Sequence, residues 1–187
     1  MTNANEELMN TYISILRGIN VSGQKLIKMT ELKSHFENLG YSNVVTYIQS
    51  GNVIFKSSNS STNALAVEIS KMIKQVYGFD VPVLVLTKDE LIEVANNNPY
   101  LNMEEILNES LYITFLTEEP ATAKINQIDT TSFLPDEFTI LGKNLYLHVV
   151  NGYGKTKLSN NFFENKLKVT ATTRNIKTVN KLIELAQ

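Results

Sequence analysis

Four basic side chains stand at turns of a 187-residue chain whose formal net charge is only −2. Each is placed where a loop meets a predicted strand or helix, so a ligand there would find backbone N–H groups beside a positive charge. That combination suits phosphate and carboxylate groups. The sequence therefore predicts a site for a small anionic ligand, such as a nucleotide or a phosphorylated metabolite, with its charges supplied by Arg17, Lys155, Lys157 and Arg174.

Neutral side chains in the same segments could orient such a ligand. Asn20 follows the first arginine in a glycine-containing loop, and Asn175 follows the second. Gln49 ends a predicted strand and Ser50 begins the hairpin turn that follows, and both keep spare hydrogen-bonding capacity. The sequence places no histidine to activate Ser50 as a nucleophile, so a serine hydrolase is not indicated and enzymatic activity is left open.

Arg174 is the least expected of the basic residues. We predict the last helix from about Asn175, with Thr172 or Thr173 as its N-cap, which puts Arg174 in the first helical turn. A cation there opposes the helix dipole by roughly 0.3–1 kcal/mol, and a bound phosphate or carboxylate would reverse the sign. Pairing with an acid elsewhere in the chain is the alternative.

The loop from Asn151 to Ser159 is the second candidate anion site. Its Gly154-Lys155-Thr156 is similar to the end of a phosphate-binding loop, but the full pattern needs glycine at the position of Val149. A Walker-type nucleotide triphosphatase is therefore excluded. Two interpretations stay open: a lysine-bearing loop beside a helix N-terminus that binds an anion, or an ordinary solvent-exposed loop.

The composition narrows the classes of function. The chain has no cysteine and two histidines, His35 and His148, which excludes disulfides, thiolate chemistry and multi-histidine metal centres, so no cofactor or metal is predicted. No apolar run reaches the ~20 residues of a membrane span, and the polar segment Met1–Asn10 does not resemble a signal peptide. With 43% hydrophobic residues, we expect a folded cytoplasmic protein.

Charge is distributed unevenly along the chain. Residues 88–137 hold two lysines and eleven acids, a net charge of −9, whereas residues 143–181 hold eight basic residues and one acid, a net charge of +7. The basic half fits the anion site, but it also fits a protein-interaction or self-associating module without a small-molecule site, whose contacts salt would screen. The overall charge, and the absence of a basic-glycine-aromatic pattern in Asn52–Lys56, disfavour nucleic-acid binding. The oligomeric state is left open.

The elements that must position these residues follow a β-α-β-β-α-β-α order in the first half. Two strands meet in a two-residue turn, Ser50-Gly51, and Thr87 with Glu90 forms a capping box for a helix that runs to about Asn96. The first six elements match the split βαβ, ferredoxin-like plan. They comprise strands over Tyr12–Arg17, Val44–Gln49, Asn52–Lys56 and Val81–Thr87, a helix from Met29 until Gly40 and a helix over Thr62–Tyr77.

The same order recurs in the second half, where Gly142-Lys143 joins the two strands of a second hairpin. We therefore predict an α+β fold with a ferredoxin-like βαββαβ N-terminal subdomain, residues 1–97, and a smaller related α+β subdomain with a C-terminal helix, residues 98–187. The linker is placed in Asn96–Asn108. The later elements are strands over Leu111–Thr117, Glu137–Leu141 and Asn144–Val150, an extended segment or loop over Lys168–Thr173, and helices over Ala121–Ile128, between Lys157 and Leu167, and from Asn175 to the end.

Four of these segments resemble the bacterial domain-of-unknown-function 1697 family, and the resemblance covers the chain after about Tyr12. The chain differs at two positions, with Ile176 where tryptophan is expected and Thr156 where serine is usual. The resemblance implies an α+β protein with a ferredoxin-like N-terminal part, and it implies no established activity. The segments are Leu16-Arg17-Gly18-Ile19-Asn20-Val21-x-Gly23, Thr46-Tyr47-Ile48-Gln49-Ser50-Gly51-Asn52-Val53, Lys157-Leu158-Ser159 and Thr172-Thr173-Arg174-Asn175.

Overall fold

The computed structural model describes residues 9–101, 103 and 107–187. The chain divides into two compact units: the first runs to Ile92 and includes Lys181–Gln187, and the second is Glu93–Asn180. The predicted subdomains, 1–97 and 98–187, stay a prediction about which segments fold independently. Two of the predicted segments fall partly outside the described residues. Residues 1–8 belong to the N-terminal segment that does not resemble a signal peptide, and residues 102 and 104–106 belong to the predicted linker.

The first unit is built on one antiparallel sheet with the strand order β2-β3-β1-β4. Two helices connect its strands in the order β-α-β-β-α-β, so the predicted split βαβ plan is confirmed. The elements are β1 (Asn10–Leu16), α1 (Met29–Asn38), β2 (Ser42–Tyr47), β3 (Asn52–Ser57), α2 (Thr62–Tyr77) and β4 (Val83–Thr87), followed by α3 (Lys88–Asn96).

Local signals in the sequence explain where the helices of this unit begin and end. Ser61 caps α2 by accepting a hydrogen bond from Ala64 N at 3.2 Å, and Gly78, with φ +78°, ends it in the left-handed conformation. The capping box of α3 is confirmed: Thr87 N donates to Glu90 Oε2 at 2.7 Å, and Glu90 N donates to Thr87 Oγ1 at 3.1 Å. One face of the sheet packs with α1 and α2 around a core that includes Tyr12, Leu16, Leu32, Phe36, Phe55, Leu65, Ile69 and Ile73.

The second unit repeats the topology with the strand order β6-β7-β5-β8, again antiparallel throughout. The predicted recurrence is therefore confirmed, although the first helix of this unit is reduced to a single turn followed by a 3-10 turn at Thr130–Phe133. No described helix combines the length and the apolar composition that a membrane crossing requires. The elements are β5 (Leu111–Leu116), α4 (Thr122–Ile125), β6 (Glu137–Leu141), β7 (Asn144–His148), α5 (Asn160–Leu167), β8 (Ala171–Asn175) and α6 (Ile176–Leu185).

The start of the last helix differs from the prediction. Arg174 lies in strand β8, opposite Ile113 of β5, so its placement in a first helical turn, and the dipole argument built on it, were wrong. The β-branched Thr172 and Thr173 fit a pleated strand, and pairing with β5 holds their backbone in the ladder. The cap of α6 is instead Asn175, whose Oδ1 accepts a hydrogen bond from Thr178 N at 2.8 Å.

The connection between β2 and β3 is longer than predicted. Tyr47 pairs with Asn52, so the connection has four residues, Ile48 to Gly51, and the predicted strand to Gln49 was too long. Asn52 is fully buried and donates through Nδ2 to Tyr47 O and to Ser50 Oγ, each at 3.0 Å. β2 also contains a register shift between Ser42 and Val45.

The turn of this hairpin packs so closely that it has no room for a side chain at Gly51. A Cβ there would lie 2.7 Å from Ile19 Cδ1 and 2.8 Å from Leu16 Cβ. We expect Gly51→Ala to lower the free energy of unfolding by about 1–3 kcal/mol more than Gly40→Ala, because overpacking adds to the cost of a positive φ. Gly40 is the matched control, with φ +87° and nothing within 4 Å of its added Cβ. Urea denaturation measures both, and equal losses would contradict the packing argument.

Candidate functional site

The eight predicted site residues fall into two groups, one in each compact unit. In each unit a cavity is lined by two of the predicted residues. The first group is Arg17, Asn20, Gln49 and Ser50, and the second is Lys155, Lys157, Arg174 and Asn175.

In the first unit, the side chain of Asn20 ties two loops together. Its Nδ2 donates to Ile27 O and to Gln49 O, each at 2.9 Å, and its Oδ1 accepts from Ile27 N at 2.8 Å. The backbone of Asn20 has φ +55°, a conformation that asparagine tolerates better than most residues. Both amide hydrogens are used, so Asn20 joins the β1–α1 loop to the hairpin turn.

The cavity of the first unit has a volume of about 540 Å³ and lies beside the first turn of α1. Its lining includes Asn20 and Gln49, with apolar atoms from Leu26, Ile27 and Met29. The two charged residues in the lining neutralise each other, because Lys28 Nζ lies 3.1 Å from Glu31 Oε1. This cavity therefore offers no net positive charge to an anion.

Two other predicted residues of this unit lie outside that lining. Arg17 is half-buried just after β1, and its backbone N donates to Pro82 O at 2.9 Å. The hydroxyl oxygen of Ser50 accepts a hydrogen bond from Asn52 Nδ2.

The second unit brings Lys155 and Lys157 together at one cavity of about 310 Å³. Both lysines are exposed, and Asn151 contributes an amide to the same lining. The remaining wall is the segment that precedes β6, namely Ser132, Phe133, Leu134, Pro135 and Asp136.

Asp136 fixes the loop that carries the two lysines. Its Oδ1 accepts a hydrogen bond from Val150 N at 2.9 Å, and its Oδ2 accepts one from Thr156 Oγ1 at 2.6 Å. Thr156 Oγ1 in turn accepts from Leu158 N at 3.1 Å. The role of Asp136 could not be predicted from the sequence, because its partners lie 14 and 20 positions further along the chain, where no spacing rule applies.

Aromatic rings pack against Phe133, which contributes to the apolar part of this cavity lining. The ring of Phe133 lies 5.0 Å from the ring of Phe162 and 6.1 Å from that of Phe138, both in edge-to-face geometry. Such contacts fix the ring orientation. The cavity thus has one wall with an apolar surface and one wall with ammonium groups.

Arg174 is buried in β8, with an exposed fraction of 9%, and is not among the residues of either cavity lining. Its Nη1 donates to Thr173 O at 2.8 Å and to Thr172 Oγ1 at 3.2 Å. Burial lowers the pKa of Arg174 to about 10, because the charged guanidinium is poorly solvated there. Together with the cap at Asn175, these contacts give both residues a place in the framework of the unit.

Comparisons with known proteins give a match to a family and a similarity to a solved structure. Residues 9–146 match the model of a family described as "Protein of unknown function (DUF1697)". The chain is similar to a solved structure of the conserved bacterial protein SP0830 from Streptococcus pneumoniae, with a TM-score of 0.70 and 24% identity, over 96% of this chain and 99% of that one. At that identity the likeness shows the fold alone. None of the curated proteins matches the chain.

We expect Asn20→Asp to lower the free energy of unfolding by about 1–3 kcal/mol, because a carboxylate keeps the acceptor for Ile27 N but loses both donors. Aspartate also tolerates the positive φ, so the backbone cost is similar. The control is Asn43→Asp, at an exposed residue with φ +51°. Urea denaturation should separate the two variants, and an Asn20 variant as stable as the control would show that this link is dispensable.

Proposed function

The chain belongs to the DUF1697 family of proteins of unknown function, and we propose that it binds a small anionic ligand, such as a nucleotide or a phosphorylated metabolite. The ligand lies in the cavity of the second unit, with its anionic group at Lys155 and Lys157. Asn151 supplies an amide that orients it.

One observation supports this proposal above the others: two ammonium side chains line a single cavity from a loop that a carboxylate fixes in place. With Asp136 included, the lining carries one net positive charge, and a concave surface concentrates the potential that an anion feels. A fixed loop also lowers the conformational entropy that binding must remove. The cavity of the first unit lacks that charge excess, since its lysine is paired with a glutamate.

Three of the other predicted residues act indirectly in this proposal. Arg174 and Asn175 stabilise β8 and the start of α6, and Asn20 holds the loops of the first unit. Asp136 positions the lysine loop. The proposal is therefore one of binding, and Lys155 and Lys157 are the residues that contact the anionic group.

The test compares ligand-induced thermal stabilisation of the wild type with that of a Lys155→Ala/Lys157→Ala double variant. A ligand at 100 times its Kd stabilises a folded protein by about 2.7 kcal/mol. Each charge-assisted hydrogen bond contributes about 1.5–3 kcal/mol, so we expect the double variant to lose at least tenfold in affinity for inorganic phosphate, AMP and glucose 6-phosphate. Calorimetric titration of the same ligands checks the affinities directly.

Two controls accompany this test. A Lys143→Ala/Lys166→Ala double variant makes the same change in net charge at exposed positions outside the cavity lining and should bind like the wild type. Arg174→Met should unfold at a lower temperature yet keep the ligand response. Wild-type affinity in the Lys155/Lys157 variant would sink the proposal, as would equal losses in the two lysine double variants.

A second candidate function, a self-associating module, is supported by exposed apolar side chains on the loops that Asn20 joins. Val21, Leu26 and Ile48 have exposed fractions of 58%, 66% and 48%, and Ile48 has φ +49°, which is costly for a β-branched residue. Contacts between such side chains would be insensitive to salt, unlike contacts of the basic half.

Sedimentation equilibrium decides this second candidate. We expect the wild type to associate in low and high salt and a Leu26→Ser/Ile48→Asn variant to be monomeric, because asparagine suits the positive φ and removes the apolar surface. Val67→Ser, at a residue of α2 with an exposed fraction of 52%, is the control and should associate. A wild type that is monomeric throughout would rule out self-association.

A further inference from the structure

We propose that the ligand of the second-unit cavity is a phosphorylated sugar or polyol, a molecule that carries hydroxyl groups as well as its anionic group. This inference rests on the proposed function and names the chemical class of the ligand. It comes from a difference between the two chain segments that line the cavity: residues 151–157 supply donors and positive charge, and residues 132–136 supply acceptors and apolar surface.

Asp136 is the main acceptor in the lining. Each of its oxygens accepts one hydrogen bond, from Val150 N and from Thr156 Oγ1, and an ionised carboxylate has about four acceptor positions. Two positions therefore remain for a ligand that brings O–H donors. The same carboxylate repels the phosphate group of any ligand, and a ligand with additional hydroxyl groups offsets that repulsion by donating hydrogen bonds to the carboxylate.

Ser132 adds a second acceptor to the same segment. Its hydroxyl hydrogen is donated to Asp129 O at 2.8 Å, so the oxygen lone pairs are what it presents to a partner. Across the lining, Lys155 and Lys157 can only donate, and Asn151 can do both. A ligand that satisfies all of these groups needs an acceptor-rich anionic end and a donor-bearing remainder.

The volume and the apolar surface of the cavity indicate what the ligand contains besides its phosphate group. Ligand cavities for drug-sized molecules span about 300–1,000 Å³, and this cavity, at about 310 Å³, lies at the lower end. A single ring with one phosphate fits that volume better than a base, a sugar and a phosphate together. The fixed ring of Phe133 provides an apolar surface for the C–H groups of a sugar.

The test is a ligand series on the wild-type protein, measured by isothermal titration calorimetry. Glucose 6-phosphate is compared with cyclohexylmethyl phosphate, which has a similar ring and phosphate but no hydroxyl groups, and with inorganic phosphate and AMP. We expect glucose 6-phosphate to bind at least tenfold more tightly than each of the other three. A site that hydrogen-bonds a hydroxyl rejects an analogue without it, because its polar groups are then left unpaired.

The Asp136→Asn variant tests whether the preference for glucose 6-phosphate depends on the Asp136 carboxylate. The isosteric amide can still accept from Val150 N, but its nitrogen cannot accept from Thr156 Oγ1. A displaced lysine loop would weaken both phosphates alike, so we expect the loss of the carboxylate to appear as a fall of about tenfold in the ratio of the glucose 6-phosphate affinity to the cyclohexylmethyl phosphate affinity. Circular dichroism verifies the fold. Ser132→Ala, which deletes one acceptor of the same wall, should lower the ratio in the same direction and serves if the Asp136 variant does not fold.

The outcomes separate the two proposals. If all phosphates bind with equal affinity, or AMP binds most tightly, the sugar-phosphate inference is overturned and the anion site stands. If none of the four binds, both proposals fall. A preference that survives in both variants also overturns the inference, because the acceptor wall would then not be its source.

Discussion

Backbone N–H and C=O groups that lie outside the two sheets still need hydrogen-bond partners, and a few side chains meet that need where loops adjoin. Asn20 serves the backbone of two loops in the first unit, and Asn52 serves one of them, the hairpin turn. Asp136 does the same in the second unit. Once these side chains are in place the loops have defined shapes, and the residues available to a ligand or a partner are those that the loops leave exposed.

The two units share a topology but lengthen different connections. In the first unit, twelve residues join β1 to α1 and four join β3 to α2; in the second, five join β5 to α4 and eleven join β7 to α5. The long loop of the first unit carries the exposed apolar side chains Val21 and Leu26, and its Lys28 is paired with Glu31, whereas that of the second places Lys155 and Lys157 in the lining of one cavity. The long loops of one framework thus differ in chemistry, which is why we propose anion binding in the second unit.

Much of this fold could be predicted from local sequence signals. The order of elements, the Gly142-Lys143 hairpin and the capping box at Thr87 depend on residues close together in the chain. The segment around Arg174 could not, because two threonines before an arginine and an asparagine fit a helix cap and a strand equally well. Pairing with β5, about 60 positions earlier, decides between them. The second-unit part of the candidate site could not be predicted for the same reason, because the Asp136 contacts that shape it join residues distant in sequence.

The strand order also leaves each sheet with open edges, and the two units differ in how the corresponding edge is protected. β2 is interrupted by a register shift next to Asn43, which has φ +51°, and a bulged edge is a poor template for a further strand. Its counterpart β6 pairs in unbroken register, and Glu137 is its one charged residue. Strand addition is therefore opposed at β2 by the irregular backbone and at β6 by a single charge, so the unit that carries the lysine loop has the less protected of these two edges.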